Sequence, residues 1–194
     1  MNIGIIGLGL IGGSMAKSIR EKTSHYVYGF DIDPETMFLA EMTKGIDAPL
    51  TNETIGNCDL ILIAVRPDYA VEWVRNNAEK INKKAVVVDL CGVKRCVVNA
   101  VKPLAQEHGF RYVGGHPMAG KEVAGYNNAT SHLYDGAAMI LTPDETTDPA
   151  TLELLRDFFY ELGFAKLTFS TPEEHDRIIA YTSQLAHIAS NAYI

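Results

Sequence analysis

Gly7-Leu8-Gly9-Leu10-Ile11-Gly12 forms a G-x-G-x-x-G run directly behind the apolar start Ile3-Gly4-Ile5-Ile6, and an acid, Asp31, closes the next apolar segment, Val27-Tyr28-Gly29-Phe30. Strand, tight turn, helix, strand and acid thus follow in the order that a dinucleotide-binding βαβ unit requires. The first glycine permits the strand-to-helix turn, the second lets backbone approach a pyrophosphate, and the third lets helix pack on strand. Amides at the helix start, Leu10 and Ile11 among them, then face the phosphates with the positive end of the helix dipole. A carboxylate at Asp31 suits the ribose hydroxyls of NAD and repels a 2′-phosphate, so NAD is expected over NADP. Asp33-Pro34-Glu35 reads separately as an N-cap with proline at the first helical position.

The rest of the chain continues the alternation. Strands are expected near 2–6, 26–30, 59–65, 85–89, 110–113, 137–142 and 165–169, with helices near 10–21, 34–44, 68–80, 94–107 and 149–162. Leu60-Ile61-Leu62-Ile63-Ala64-Val65 and Ala85-Val86-Val87-Val88 are apolar on both faces, as central strands of a covered parallel sheet must be. The fold class is therefore α/β, with a doubly wound, mainly parallel sheet. Val65, at the end of its strand, joins the expected cofactor-binding set of Gly7, Gly9, Leu10, Ile11, Gly12 and Asp31. Thr171-Pro172-Glu173-Glu174 supplies an N-cap, a proline and a capping-box glutamate, so a further helix starts there. Its run through Ile178, Ile179, Leu185, Ala186, Ile188 and Ala189 is apolar enough to need a covering surface, either a helical second domain or a dimer partner.

Charge and cysteine content narrow the partners. A net charge of −7 without a basic cluster argues against nucleic acid, and no apolar run approaches the roughly 18 residues of a membrane span. Cys58, Cys91 and Cys96 lack metal-ligand spacing and cannot all pair, so no metal is expected and the chain suits a reducing cytoplasm.

Two stretches at expected strand ends carry the chemistry. Gly114-Gly115-His116-Pro117-Met118-Ala119-Gly120 reads as a tight loop at the carboxyl edge of the sheet, where open parallel sheets bind ligands. That position makes His116 the leading catalytic residue, a proton acceptor. Asp89-Leu90-Cys91-Gly92-Val93-Lys94 occupies the neighbouring edge. Lys94 at a helix start is badly placed for the dipole, which leaves two readings, an anion of a ligand nearby or a solvated surface lysine. Cys91 reads as small core packing. Ser183 and His187, four apart on the last helix, share a face and could look into the site. His25, His108, His132 and His175 have no supporting context.

Assembled, the pieces resemble the prephenate and arogenate dehydrogenase family of tyrosine biosynthesis. The matching residues are Gly7 to Ser14, Asp89 to Lys94, Gly114 to Gly120 with Glu122 and Gly125, and Ser183 to His187, and the Gly-His-Pro-Met-Ala-Gly loop is the most specific of them. The resemblance implies a Rossmann-type NAD-binding domain over 1–170, with 171–194 as the first helix of an all-helical dimerisation domain. It implies NAD-dependent oxidative decarboxylation of prephenate or arogenate, with His116 and His187 in catalysis, Gly92, Lys94 and Ser183 at the substrate, and a cytoplasmic homodimer paired through the helical region. The chain departs from the family at Cys91-Gly92, where the family has Gly-Ser; backbone N–H or water stands in for a hydroxyl there. The alternatives are a related NAD(P)-dependent β-hydroxyacid or imino-acid reductase, and a non-catalytic NAD-binding module.

Overall fold

The structure is a computed structural model that describes residues 1–184. Its frame is one eight-stranded sheet built from β1 (Asn2–Ile6), β2 (Tyr26–Phe30), β3 (Ala48–Pro49), β4 (Leu60–Ile63), β5 (Val86–Asp89), β6 (Arg111–Met118), β7 (Ala138–Thr142) and β8 (Lys166–Phe169), in the spatial order β3-β2-β1-β4-β5-β6-β7-β8. Every pairing is parallel except β6 with β7. The order turns back on itself between β1 and β4, and this switch point opens a crevice at the carboxyl ends of the strands.

Among the described residues six α-helices cover the sheet: α1 (Leu10–Lys22), α2 (Pro34–Met42), α3 (Pro67–Asn77), α4 (Arg95–His108), α5 (Pro149–Glu161) and α6 (Pro172–Ile179). The period of two along each strand divides the core. Ile3, Ile5, Leu60, Leu62, Val86 and Val88 pack with Met15 and Ile19 of α1 and Phe158 and Phe159 of α5. Ile6, Ile61, Ile63 and Val87 face the other way, onto Val74 of α3 and Val97 and Val101 of α4. The central strands are thus buried on both faces, which is why their sequences are apolar throughout.

The helix starts predicted at Asp33 and Thr171 are present, and Asp148 supplies a third cap. Asp33 accepts from the Glu35 and Thr36 amides, Asp148 from the Thr151 amide, and Thr171 and Glu174 close a reciprocal capping box. Two expectations need correction, and one strand goes unsignalled. The helix expected over 68–80 is α3 followed by a separate 3-10 turn, Ala78–Lys80. β3, two residues long at the sheet edge, has no signal of its own in the sequence. The strand expected to end at Val113 runs on to Met118, so His116 is a strand residue and not a loop residue. Gly114 and Gly115 make that continuation possible: a Cβ on Gly115 would come within 2.9 Å of Met139, Val88 and the Asp89 carbonyl. Only glycine lets β6 thread between β5 and β7 there.

Beyond α6, Ala180–Gln184 forms a π-helical turn that contains Ser183, while the expected helix from 185 on, with His187, lies outside the described residues. No helix among the described residues is long and apolar enough to cross a membrane.

Candidate active site

The fingerprint turn has the geometry its sequence requires. Gly7 has φ +84°, and a Cβ on it would stand 2.5 Å from Val65 Cγ1, so both backbone conformation and space demand glycine. A Cβ on Gly12 would lie 1.8 Å from the Gly7 carbonyl oxygen, the close helix-on-strand contact expected of the third glycine. Gly9 is different: a Cβ there would meet nothing within 4 Å. Protein packing therefore does not demand glycine at this position.

α1 starts at Leu10 with no side-chain cap on Gly9 and no acid in its first turn, so its leading amides have no anionic side chain of their own. Ile11 turns inward against the core, and its carbonyl accepts from the Tyr134 hydroxyl at 2.6 Å. Beside this turn Gly7, Asp31 and Val65 line a cavity of about 350 Å³ together with Phe30, Ile32 and Trp73. One Asp31 oxygen accepts from the Leu8 amide at 2.7 Å and the other from the Asp33 amide at 3.0 Å. These bonds fix the carboxylate at the cavity wall. A dinucleotide fits this set: open backbone amides for its phosphates, an apolar cleft for a base and an acid for ribose hydroxyls.

A second group of residues lies along the same sheet edge, one strand pair further on. Lys94 is wholly buried. Its ammonium group pairs with Asp89 and also donates to the Gly115 carbonyl, next to His116. The other Asp89 oxygen accepts from the Tyr112 hydroxyl at 2.6 Å, and the Cys91 amide donates to Oδ1 at 3.1 Å. Burial and the adjacent Asp89 carboxylate hold the Tyr112 phenol well above its ordinary range, so it acts here as a hydrogen-bond donor.

Lys94 is therefore neither a solvated surface lysine nor a cation waiting for a ligand. The anion at the start of α4 comes from the protein: Asp176 of α6 accepts from the Lys94 amide at 2.7 Å and the Arg95 amide at 3.0 Å. It caps α4 from across the fold. Lys94's structural task is to hold the β5–α4 turn and the Gly115 carbonyl. Cys91 is buried as expected, and burial with the nearby Asp89 charge drives its thiol far above the usual range, away from nucleophilic use.

His116 sits half-buried above this ion pair. Burial above all, then its neighbours His175 and Lys94, lowers its pKa to about 4 against the smaller opposing pull of Asp89 and Asp176. The imidazole is neutral at physiological pH. Its Nδ1 lies 2.9 Å from Nε2 of His175, and His175 Nδ1 lies 2.8 Å from Asp176 Oδ1. Its other edge faces Gly92, where an added Cβ would lie 3.8 Å from Nε2 and 3.9 Å from Cε1 with no other group nearer. His175 carries no signal of its own in the sequence, because its meaning depends on α6 crossing the start of α4. The capping box that places α6 was the available clue.

The match to known families follows this geometry. Residues 15–167 match the model for the prephenate dehydrogenase nucleotide-binding domain. The chain belongs to that family. It is 28% identical over 194 residues to prephenate dehydrogenase of Bacillus subtilis (strain 168), covering 98% of this chain and 52% of the relative. Among solved structures, Synechocystis arogenate dehydrogenase superposes with a TM-score of 0.90 at 30% identity, covering all of this chain and 68% of that one. Prephenate dehydrogenase from A. aeolicus, in complex with hydroxyphenyl propionate and NAD+, gives 0.85 at 31% identity, covering 100% and 68%. The chain spans about half the length of several curated relatives it matches.

Proposed function

We propose that this chain forms the cofactor-binding and proton-accepting part of an NAD-dependent dehydrogenase that oxidatively decarboxylates prephenate or arogenate in tyrosine biosynthesis. The observation that carries the reading is His116, a neutral imidazole at the carboxyl edge of the sheet whose Nε2 edge is open beside Gly92. The cavity bounded by Gly7, Asp31 and Val65 would hold NAD, with Gly9, Leu10, Ile11 and Gly12 at the pyrophosphate and Asp31 at the ribose. When bound, NAD supplies the hydride acceptor.

His116 accepts the proton of the ring hydroxyl as hydride leaves the carbon that bears it. Loss of the ring carboxylate as carbon dioxide then makes the product aromatic and drives the reaction forward. Orientation and one proton acceptor are the protein's main contributions. Gly92 leaves room for the substrate, or for a water in place of a hydroxyl. Ser183 and His187 are proposed to approach from the C-terminal helical segment.

Residues from 171 onward are proposed to open a helical unit through which two copies pair in the cytoplasm. Phe169, Ile178 and Tyr181, exposed around α6, support that reading by offering apolar surface for a partner. The family match favours this function over a β-hydroxyacid or imino-acid reductase.

The test is reduced-nicotinamide formation from NAD with prephenate, with arogenate run in parallel and NAD binding measured in the same sample. Turnover with either substrate supports the function and ranks the two. Tight NAD binding without turnover on either, under conditions where His116 is neutral, would reduce the reading to a nucleotide-binding role.

A further inference from the structure

Behind the base, three side chains form a continuous line. His116 and His175 meet edge to face, with ring centroids 5.1 Å apart and planes at 61°. His175 has no exposed side-chain surface, and its far nitrogen meets Asp176. Asp176 is tied in turn to the first amides of α4. Burial opposes ionisation of Asp176, but the hydrogen bonds from Lys94 N–H, His175 and Arg95 N–H outweigh it and hold the carboxyl below its usual range.

We propose that His175 and Asp176 are positioning residues that fix His116 as the tautomer with its proton on Nδ1, leaving the Nε2 lone pair to face the substrate. This rests on the reading of His116 as the proton acceptor. An ionised Asp176 can only accept, so His175 Nδ1 carries a hydrogen. As a neutral imidazole, His175 has only a lone pair at Nε2, which meets a hydrogen on His116 Nδ1; a His175 imidazolium would reverse that bond and put the His116 proton on Nε2. The remaining lone pair of His116 lies on Nε2, the edge beside Gly92.

The direction matters because an isolated imidazole can carry its proton on either nitrogen, and only one choice leaves Nε2 basic. Gly92 has no side chain with which to orient the ring from the substrate side, so the orienting bond comes from behind. During proton transfer the substrate O–H bond breaks and an N–H bond forms at Nε2. The resulting imidazolium keeps its Nδ1–H bond to His175, and the chain of acceptors ending at Asp176 stabilises the new charge. No proton needs to travel beyond His116.

The test is long-range nitrogen–proton NMR on the 194-residue chain with labelled histidine, without substrate and at neutral pH. The expected wild-type result is His116 protonated at Nδ1 and bare at Nε2. His175→Leu should move His116 toward the Nε2-protonated tautomer and lower kcat roughly tenfold or more while leaving KM for NAD unchanged. His175→Gln, whose amide oxygen can occupy the place of Nε2, should restore both tautomer and most of the rate. Finding His116 protonated at Nε2 in the wild type, or unchanged in a folded His175→Leu, would overturn the proposal. The NMR result needs no turnover, so failure to oxidise prephenate or arogenate would count against the function and not against this hydrogen-bond chain.

Discussion

Lys94 and Asp89 form an ion pair in which neither side chain has any solvent-exposed surface. Each charge is tolerable in the interior only because of the other and of the surrounding Tyr112, Gly115 and Cys91 groups. Lys94→Met would leave Asp89 buried without a cation, and about 3–5 kcal/mol of stability should be lost. Pairing it with Asp89→Asn should recover much of that loss. Urea unfolding of the single and double variants checks this, and a single-variant loss below about 1 kcal/mol would show the pair to be dispensable.

His116 predicts an unusual pH dependence. Its folded pKa of about 4 lies below the ordinary 6.5, so between these values the unfolded chain binds more protons than the folded one. The contribution of this histidine to stability therefore rises with pH through that window and is complete above it. The rate follows the same group: kcat/KM should stay flat from neutral pH down to about 5 and fall as pH approaches 4. A profile with its inflection near 6.5 would show that the free enzyme's base is not the buried His116 seen here. His116→Asn should lower kcat by roughly 10²–10⁴ while leaving NAD affinity within a few-fold.

Gly9 and Gly12 should separate cofactor binding from folding. Gly9→Ala meets no protein atom within 4 Å, so the unfolding midpoint should hardly move while NAD affinity falls about tenfold or more. Gly12→Ala drives a methyl into the Gly7 carbonyl and should cost about 1–3 kcal/mol in addition to affinity. Calorimetric NAD titration beside denaturant unfolding distinguishes the two. Equal stability losses would contradict the geometry.

Gly92→Ser should be accepted without strain, since its Cβ would have only the edge of His116 within 4 Å. The added hydroxyl can reach both His116 Nε2 and a substrate hydroxyl, so kcat/KM should rise about 2–10-fold with no change in thermal midpoint. A fall in rate would indicate that the open space at Gly92 is itself needed by the substrate.

Local signals made most of this fold legible in the sequence. Period-two apolar strands, Asp-Pro and Thr-Pro helix starts and the Gly7-to-Asp31 unit all arise within short stretches, and each is present. What escaped was non-local. Gly114 and Gly115 looked like loop residues because glycine normally breaks a strand, yet here the missing side chains let β6 pass close to Met139 and Val88. Lys94 looked misplaced because its partners, Asp89 and Asp176, come from the preceding strand and from a helix 82 residues away. His175 had no motif of its own, since its meaning depends on a neighbour 59 residues earlier.

The cap that Asp176 places on α4 also implies an order of assembly. The Leu8–Asp31 bond closes over 23 residues, whereas the Lys94–Asp176 bond spans 82 and the His116–His175 bond spans 59. Contacts of such long reach form late, after loop-closure entropy has been overcome. During synthesis the Leu8–Asp31 bond needs only the first residues of the chain, whereas the cap on α4 waits until residue 176 has left the ribosome. On the proposed reading, the base at His116 would be aimed only once α6 is in place.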